Sequence, residues 1–296
     1  MDRFTIKDIE LLSGIKAHTL RIWEQRYNLI VPKRRESNHR FYDNEDLKHI
    51  LRIAHLYNNG VKISRIAHYQ KEELKKIATL GNGEGVKNVH YVNQLIEAAV
   101  DFDEERFEEI IETAITSTGF ENCLFNIVYP YFEKVGILWL SESVVPAQEH
   151  FSSNLIRRKI ITEIDKLPNI IHQKNELLLL FTPEGEYHEI PLLLNQYLLK
   201  KYQRRTIYAG SNVPLEVLKE ICEHKPVTHL YCYSITNFTK MSMEQYIVAL
   251  ARQFVNSSVV LAGPLTLQVT VFPANLVLLQ SLQEQWHFAE NKFTGK

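Results

Sequence analysis

The chain has 296 residues, 45% hydrophobic and 23% charged, a composition that excludes a disordered chain, a collagen-like fibre and a disulfide-stapled mini-protein. No apolar run reaches the ~18–20 residues that span a bilayer, and MDRFTIKDIE has no apolar signal-peptide core, so a cytoplasmic protein with no membrane partner is expected. The net charge of −1 hides an asymmetry: residues 1–75 carry 15 Lys and Arg against 10 Asp and Glu, and the remainder 19 against 25. A basic head of this kind suits a polyanionic partner. Cys123, Cys222 and Cys232 form no CxxC pair, which fits a reducing compartment and argues against structural zinc.

Three blocks follow one another: a helical, basic head over 1–75, a helical block over 86–168, and an alternating strand–helix block over 175–296. Gly81-Asn82-Gly83-Glu84-Gly85 reads as the first linker and Pro168-Asn169 as the second joint. In the head, Thr5 is a candidate N-cap, with Ile6, Ile9 and Leu12 on one helix face. Ser13-Gly14-Ile15 forms a tight turn, and a second helix runs from about Ala17 through Arg26. Leu20 and Trp23 face inward, and Lys16, His18, Thr19, Arg21 and Arg26 are able to face outward. Two short helices about a glycine turn make a helix-turn-helix, whose second helix enters the major groove. The basic run from Pro32 to Tyr42 reads as a β-wing against phosphate, closed by Phe41-Tyr42, and a further helix starts near Asn44. The plainer alternative is a solvated helix on which Arg21 and Arg26 pair with Glu24.

The helical block ends one helix at Gly136–Leu140 and places Glu149–Lys159 on the next. From Glu176 the chain alternates: strands at 176–182, 206–209, 227–233, 259–262 and 275–280, helices between them, and a closing helix at 281–291. The fold class is multidomain, α plus α/β, with a flavodoxin-like, doubly wound parallel sheet whose ligand belongs at the carboxyl ends of the strands. Glu186-Tyr187-His188 follows the first of these strands. A loop histidine there presents imidazole nitrogen to a metal, and Glu186 is placed to hold its other ring nitrogen. Taken singly, Trp139 also reads as plain core and His188 as a solvated side chain.

The head, LSGIKAHTLRIWEQRYNL followed by RRESNHRFYDNEDL, resembles the winged helix-turn-helix of MerR-type transcriptional regulators over residues 3–70. That resemblance implies a double-stranded DNA operator as partner. It places Thr19, Arg21 and Arg26 of the recognition helix, and Arg35, His39, Arg40 and Tyr42 of the wing, on DNA. Trp139-x9-Glu149-His150 followed by Glu186-x-His188 resembles the cobalamin-binding module of methionine synthase. Joined to the head, the chain is similar to the CarH/LitR branch of light-responsive, adenosylcobalamin-binding repressors. The resemblance implies His188 as the lower axial cobalt ligand and Trp139, Glu149 and His150 as a cover for the upper face. It implies Ser234-Ile235-Thr236 and Ala262-Gly263 as the cradle of the nucleotide tail, with Ser234, Thr236 and Gly263 as binding residues, and self-association to a dimer or higher. The spacing agrees: 42 residues separate Pro191 from Ser234, and 25 separate Thr236 from Ala262.

Three positions depart from the pattern. Pro191 and Ala262 stand where the family has glycine, and Leu140 stands where studied photoreceptors have a histidine that ligates cobalt after light. Two further readings therefore stay open: a ligand-free body that serves oligomerisation or a partner protein, and a corrinoid-dependent enzyme. The fused DNA-binding head and the absence of a substrate domain argue against the enzyme.

Overall fold

The computed structural model describes residues 4–34, 40–58, 60–70, 73–74, 84–140, 146–168, 176–236 and 242–291. They form two compact units, residues 1–155 and 156–296.

The first unit opens at Thr5. Its hydroxyl accepts from the Asp8 amide while the Asp8 carboxylate accepts from the Thr5 amide, and this reciprocal cap starts α1 (Ile6–Ser13). Gly14 ends it in the left-handed region at φ +73°, a conformation glycine adopts without steric cost. Helix α2 (Ala17–Tyr27) follows and buries Leu20 and Trp23. Strands β1 (Lys33–Arg34) and β2 (Arg40–Phe41) pair antiparallel as the base of the wing. Asp43 and Asp46 then exchange backbone-to-carboxylate hydrogen bonds at the entry to α3 (Asn44–Asn58). A short α4 (Ile63–Ile66) completes the head.

Helix α5 spans Glu84–Asp101, so Glu84 and Gly85 are helical and not part of a linker. Helix α6 (Glu104–Thr118), the short α7 (Phe120–Cys123), a π turn at Leu124–Val128, α8 (Tyr129–Leu140) and α9 (Pro146–Asp165) complete the helical block.

The second unit is a five-stranded parallel sheet in the order β4-β3-β5-β6-β7. The strands are β3 (Leu178–Pro183), β4 (Thr206–Val213), β5 (His229–Tyr233), β6 (Ser258–Ala262) and β7 (Leu276–Leu279). The helices are α10 (Ile190–Lys201), α11 (Leu215–His224), α12 (Met243–Gln253) and α13 (Leu282–Ala289). Every residue of β3 is buried, as expected for a central strand covered on both faces. Leu179, Phe181, Leu230, Cys232, Ile247 and Leu261 share one core between the sheet and α11 and α12. On the opposite face the Tyr231 hydroxyl donates to Asn195 of α10 at 2.6 Å, and its ring lies 5.8 Å from Phe288 of α13. The strand order reverses between β3 and β5, so the crevice of a doubly wound sheet opens between the loops after these two strands. Among the described residues no helix is long and apolar enough to cross a membrane.

Candidate functional site

The loop from Glu184 to Glu189 leaves β3 at this reversal point, and Ser234-Ile235-Thr236 leaves β5 beside it. Glu186 joins the two. Its side chain is 1% exposed, and Oε1 accepts from the His188 amide at 3.0 Å and from His188 Nδ1 at 2.5 Å. Oε2 accepts from the Ile235 amide (2.9 Å), the Thr236 amide (2.7 Å) and the Thr236 hydroxyl (3.0 Å), with the Ser234 hydroxyl at 3.4 Å. Burial alone would raise its pKa. The donors from His188, Thr236 and Ile235 outweigh burial and hold it at about 2, so it is a carboxylate at neutral pH. An ionised acceptor on Nδ1 fixes that nitrogen as the protonated one, which leaves the lone pair on Nε2. The His188 side chain is 45% exposed.

The rest of the loop is pinned by residues that carry no motif. The Thr182 hydroxyl donates to the Glu186 carbonyl at 2.6 Å. The Asn212 amide donates to the same carbonyl, and the Asn212 side chain accepts from the Gly185 amide at 2.8 Å. Asn212 takes positive φ, +57°, a conformation Asn tolerates better than most residues. Its place in Gly210-Ser211-Asn212, just past the run 206–209, was the available signal. Glu189, directly after His188, accepts from the Tyr208 hydroxyl at 3.0 Å and pairs with Arg157 Nε at 2.6 Å. No sequence pattern marks these partners, because they sit on three separate segments.

Gly263 has φ +103°, and a β-carbon there would lie 2.5 Å from the Ser234 carbonyl oxygen. Its glycine is therefore required by close approach of the chain to itself, whatever else it serves. Ala262 is fully buried in β6, and Pro191 sits in the first turn of α10, where its missing N–H costs nothing. Ser234 is fully buried.

In the helical block, Glu149 and His150 lie in the first turn of α9, with His150 Nδ1 3.8 Å from Glu149 Oε2 and the His150 side chain 75% exposed. Trp139 falls within α8, and its side chain lies outside what the structure describes.

On the head, Lys16, His18, Arg21 and Arg26 are exposed and Thr19 is half-buried. Glu24 pairs with Arg40 of the wing, at 3.3 Å, so the alternative of a Glu24 partner on the same helix is replaced by a helix-to-wing tie. Tyr42 is a correction: it is 1% exposed and bridges to Phe4, so its ring belongs to the core and not to a DNA-facing surface. Arg35 and His39 lie outside the described residues.

Comparison with known proteins finds matches to the head and to the helical block. Residues 4–73 match the family described as MerR HTH family regulatory protein, and residues 91–162 match the B12 binding domain. The chain carries a MerR-type helix-turn-helix and a B12-binding domain. It is 24% identical over 213 residues to the HTH-type transcriptional repressor CarH of Myxococcus xanthus, covering 70% of each chain. It is 25% identical over 219 residues to the repressor CarA of the same organism, covering 73% of this chain and 71% of that one. The monomethylamine corrinoid protein of Methanosarcina barkeri superposes with a TM-score of 0.54 at 15% identity, over 69% of this chain and 99% of that one, which is a likeness of fold.

Proposed function

We propose that this protein is a DNA-binding transcriptional repressor whose body binds a cobalamin through His188. The observation that carries the reading is the Glu186–His188 pair at the sheet's reversal point, with Glu186 also tied to the loop after β5. Among the described residues no cluster of three or more His, Cys, Asp or Glu side chains could hold a bare metal ion. A single histidine of fixed tautomer instead suits a metal whose other ligands travel with it, as in a corrin. Bound as adenosylcobalamin, the cofactor would supply a light-sensitive cobalt–carbon bond. His188 would hold the cobalt through Nε2, Glu186 would keep Nδ1 protonated, and Ser234, Thr236 and Gly263 would line the same crevice. By resemblance, Trp139, Glu149 and His150 would also contact the cofactor. The head would contact an operator with Lys16, His18, Thr19, Arg21, Arg26 and Arg40, and with Arg35 and His39 of the wing. Self-association to a dimer or higher would match a two-fold operator.

One observation favours a second reading. Gly263 and Ser234 are in backbone contact, so the glycine's missing side chain is explained without a nucleotide tail. A body that keeps the fold only for assembly or a partner protein would look the same at that position.

An absorbance titration of the purified protein with adenosylcobalamin, in darkness and then after green light, separates the two. A saturable spectral change that His188→Ala abolishes supports cobalamin binding. Operator binding that persists with no spectral change in the unaltered protein would establish the ligand-free body.

A further inference from the structure

The head and the helical block meet along a seam of paired charge within the first unit, buried at Lys48 and Glu97 and open to solvent at Asp101 and Glu45. On α3, Lys48, Arg52 and His55 fall at helical spacing along one face, and on α5 His90, Glu97 and Asp101 do the same. They pair in antiparallel order. Lys48 Nζ donates to both Asp101 carboxylate oxygens, at 3.0 and 2.7 Å, and also pairs with Glu45 at 2.6 Å. Arg52 grips Glu97 with two nitrogens, at 3.1 and 2.7 Å, and Arg106 of α6 reaches the same carboxylate at 3.0 Å. The His55 and His90 rings lie 4.9 Å apart. Burial, with the neighbouring His55, pushes His90 down to about 4, so it is neutral at pH 7.

A second grip lies beside the first. Lys134 of α8 is half-buried and donates to the Leu12 carbonyl at 2.8 Å, with Asn93 Oδ1 at 3.5 Å. Leu12 is in the last turn of α1, where carbonyls lack helical partners and a cation is favoured. The next residues are the Gly14 turn and the recognition helix.

We propose that this seam makes the DNA-reading head a rigid extension of the helical block, so that a displacement of α5 is delivered to α1 and α3 and alters DNA affinity. The inference rests on the reading of the head as a DNA-binding module. Glu97 is 4% and Lys48 7% exposed, and removing one partner of a buried ion pair leaves an uncompensated charge. The seam therefore opens when one partner is changed, and a swapped pair closes it again in part.

The test uses the full chain with Lys48→Glu, Asp101→Lys and the double variant. Hydrogen–deuterium exchange is followed in α3 and α5, and affinity is measured for a duplex selected from a random library by the unaltered protein. Each single variant should speed exchange in both helices by about 10-fold or more, equivalent to ~1.4 kcal/mol, and change DNA affinity. The double variant should recover part of both losses, because the exchanged side chains pair again across the helices while Glu45 now meets a like charge three residues on. The seam is overturned if the single variants exchange like the parent, or if the double variant is no better than the worse single one. Exchange that responds while DNA affinity stays constant would overturn the coupling alone. Selection that returns no duplex would instead sink the DNA-binding reading, with the exchange result still standing on its own. Glu97→Gln, which keeps shape and removes charge, covers the case in which a charge reversal fails to fold.

Discussion

Glu186 accepts donors from His188, Ile235, Thr236 and Ser234 at once. Glu186→Gln removes the charge and supplies an N–H where only acceptors are wanted, leaving at least one buried donor unmet. The cost expected is ~1–3 kcal/mol of stability, read from denaturant unfolding, together with weaker cobalamin retention. The pH dependence has a definite sign. The folded pKa of about 2 lies below the ordinary 4.5, so the stabilisation is fully present above pH 4.5 and is lost as pH falls from 4.5 towards 2. Glu186→Gln should flatten that part of the acid-unfolding curve. An unchanged curve would show that the carboxylate does not anchor the loop.

Among the turns that join the elements, two glycines with positive φ but different ψ, 2° at Gly14 and 178° at Gly263, make a contrast. Gly14 has φ +73° and nothing within 4 Å of the place a β-carbon would take, whereas Gly263 has φ +103° and the Ser234 carbonyl at 2.5 Å. Gly14→Ala therefore meets backbone strain alone, ~1 kcal/mol. Gly263→Ala adds a collision that only movement of the β5 or β6 loop relieves, so it should cost at least ~2 kcal/mol. Thermal unfolding of the two variants checks the order, and equal losses would contradict the contact. The turn at Gly14 was legible because its cause is local. The cause at Gly263 lies earlier in the chain, at Ser234 on another strand's loop, and spacing alone suggested a ligand cradle there. The same limit applied to Asn212 and Arg157, whose partners Gly185 and Glu189 lie on other segments.

For the molecule as a whole, the measurable consequence of the basic head is salt dependence. Arg21→Ala or Arg26→Ala should weaken binding to DNA and, where the lost contact is to phosphate, lower the slope of log affinity against log salt by about 1. Tyr42→Phe should leave the slope unchanged, because that ring is buried; a reduced slope would return Tyr42 to the DNA surface. The helix-turn-helix, the order of blocks and the parallel alternation of the sheet follow from the residues read in order, because caps, glycine turns and hydrophobic period act over a few residues. His188 and Glu186 are marked in the same way, since both lie on one short loop. It took the folded chain to establish that Tyr42 is core, that Glu24 pairs with Arg40, that Glu186 binds the loop after β5, and that Lys48 and Arg52 meet Asp101 and Glu97. Those contacts join residues 16 to 53 positions apart, or depend on which face packing covers, and neither is encoded in any local pattern.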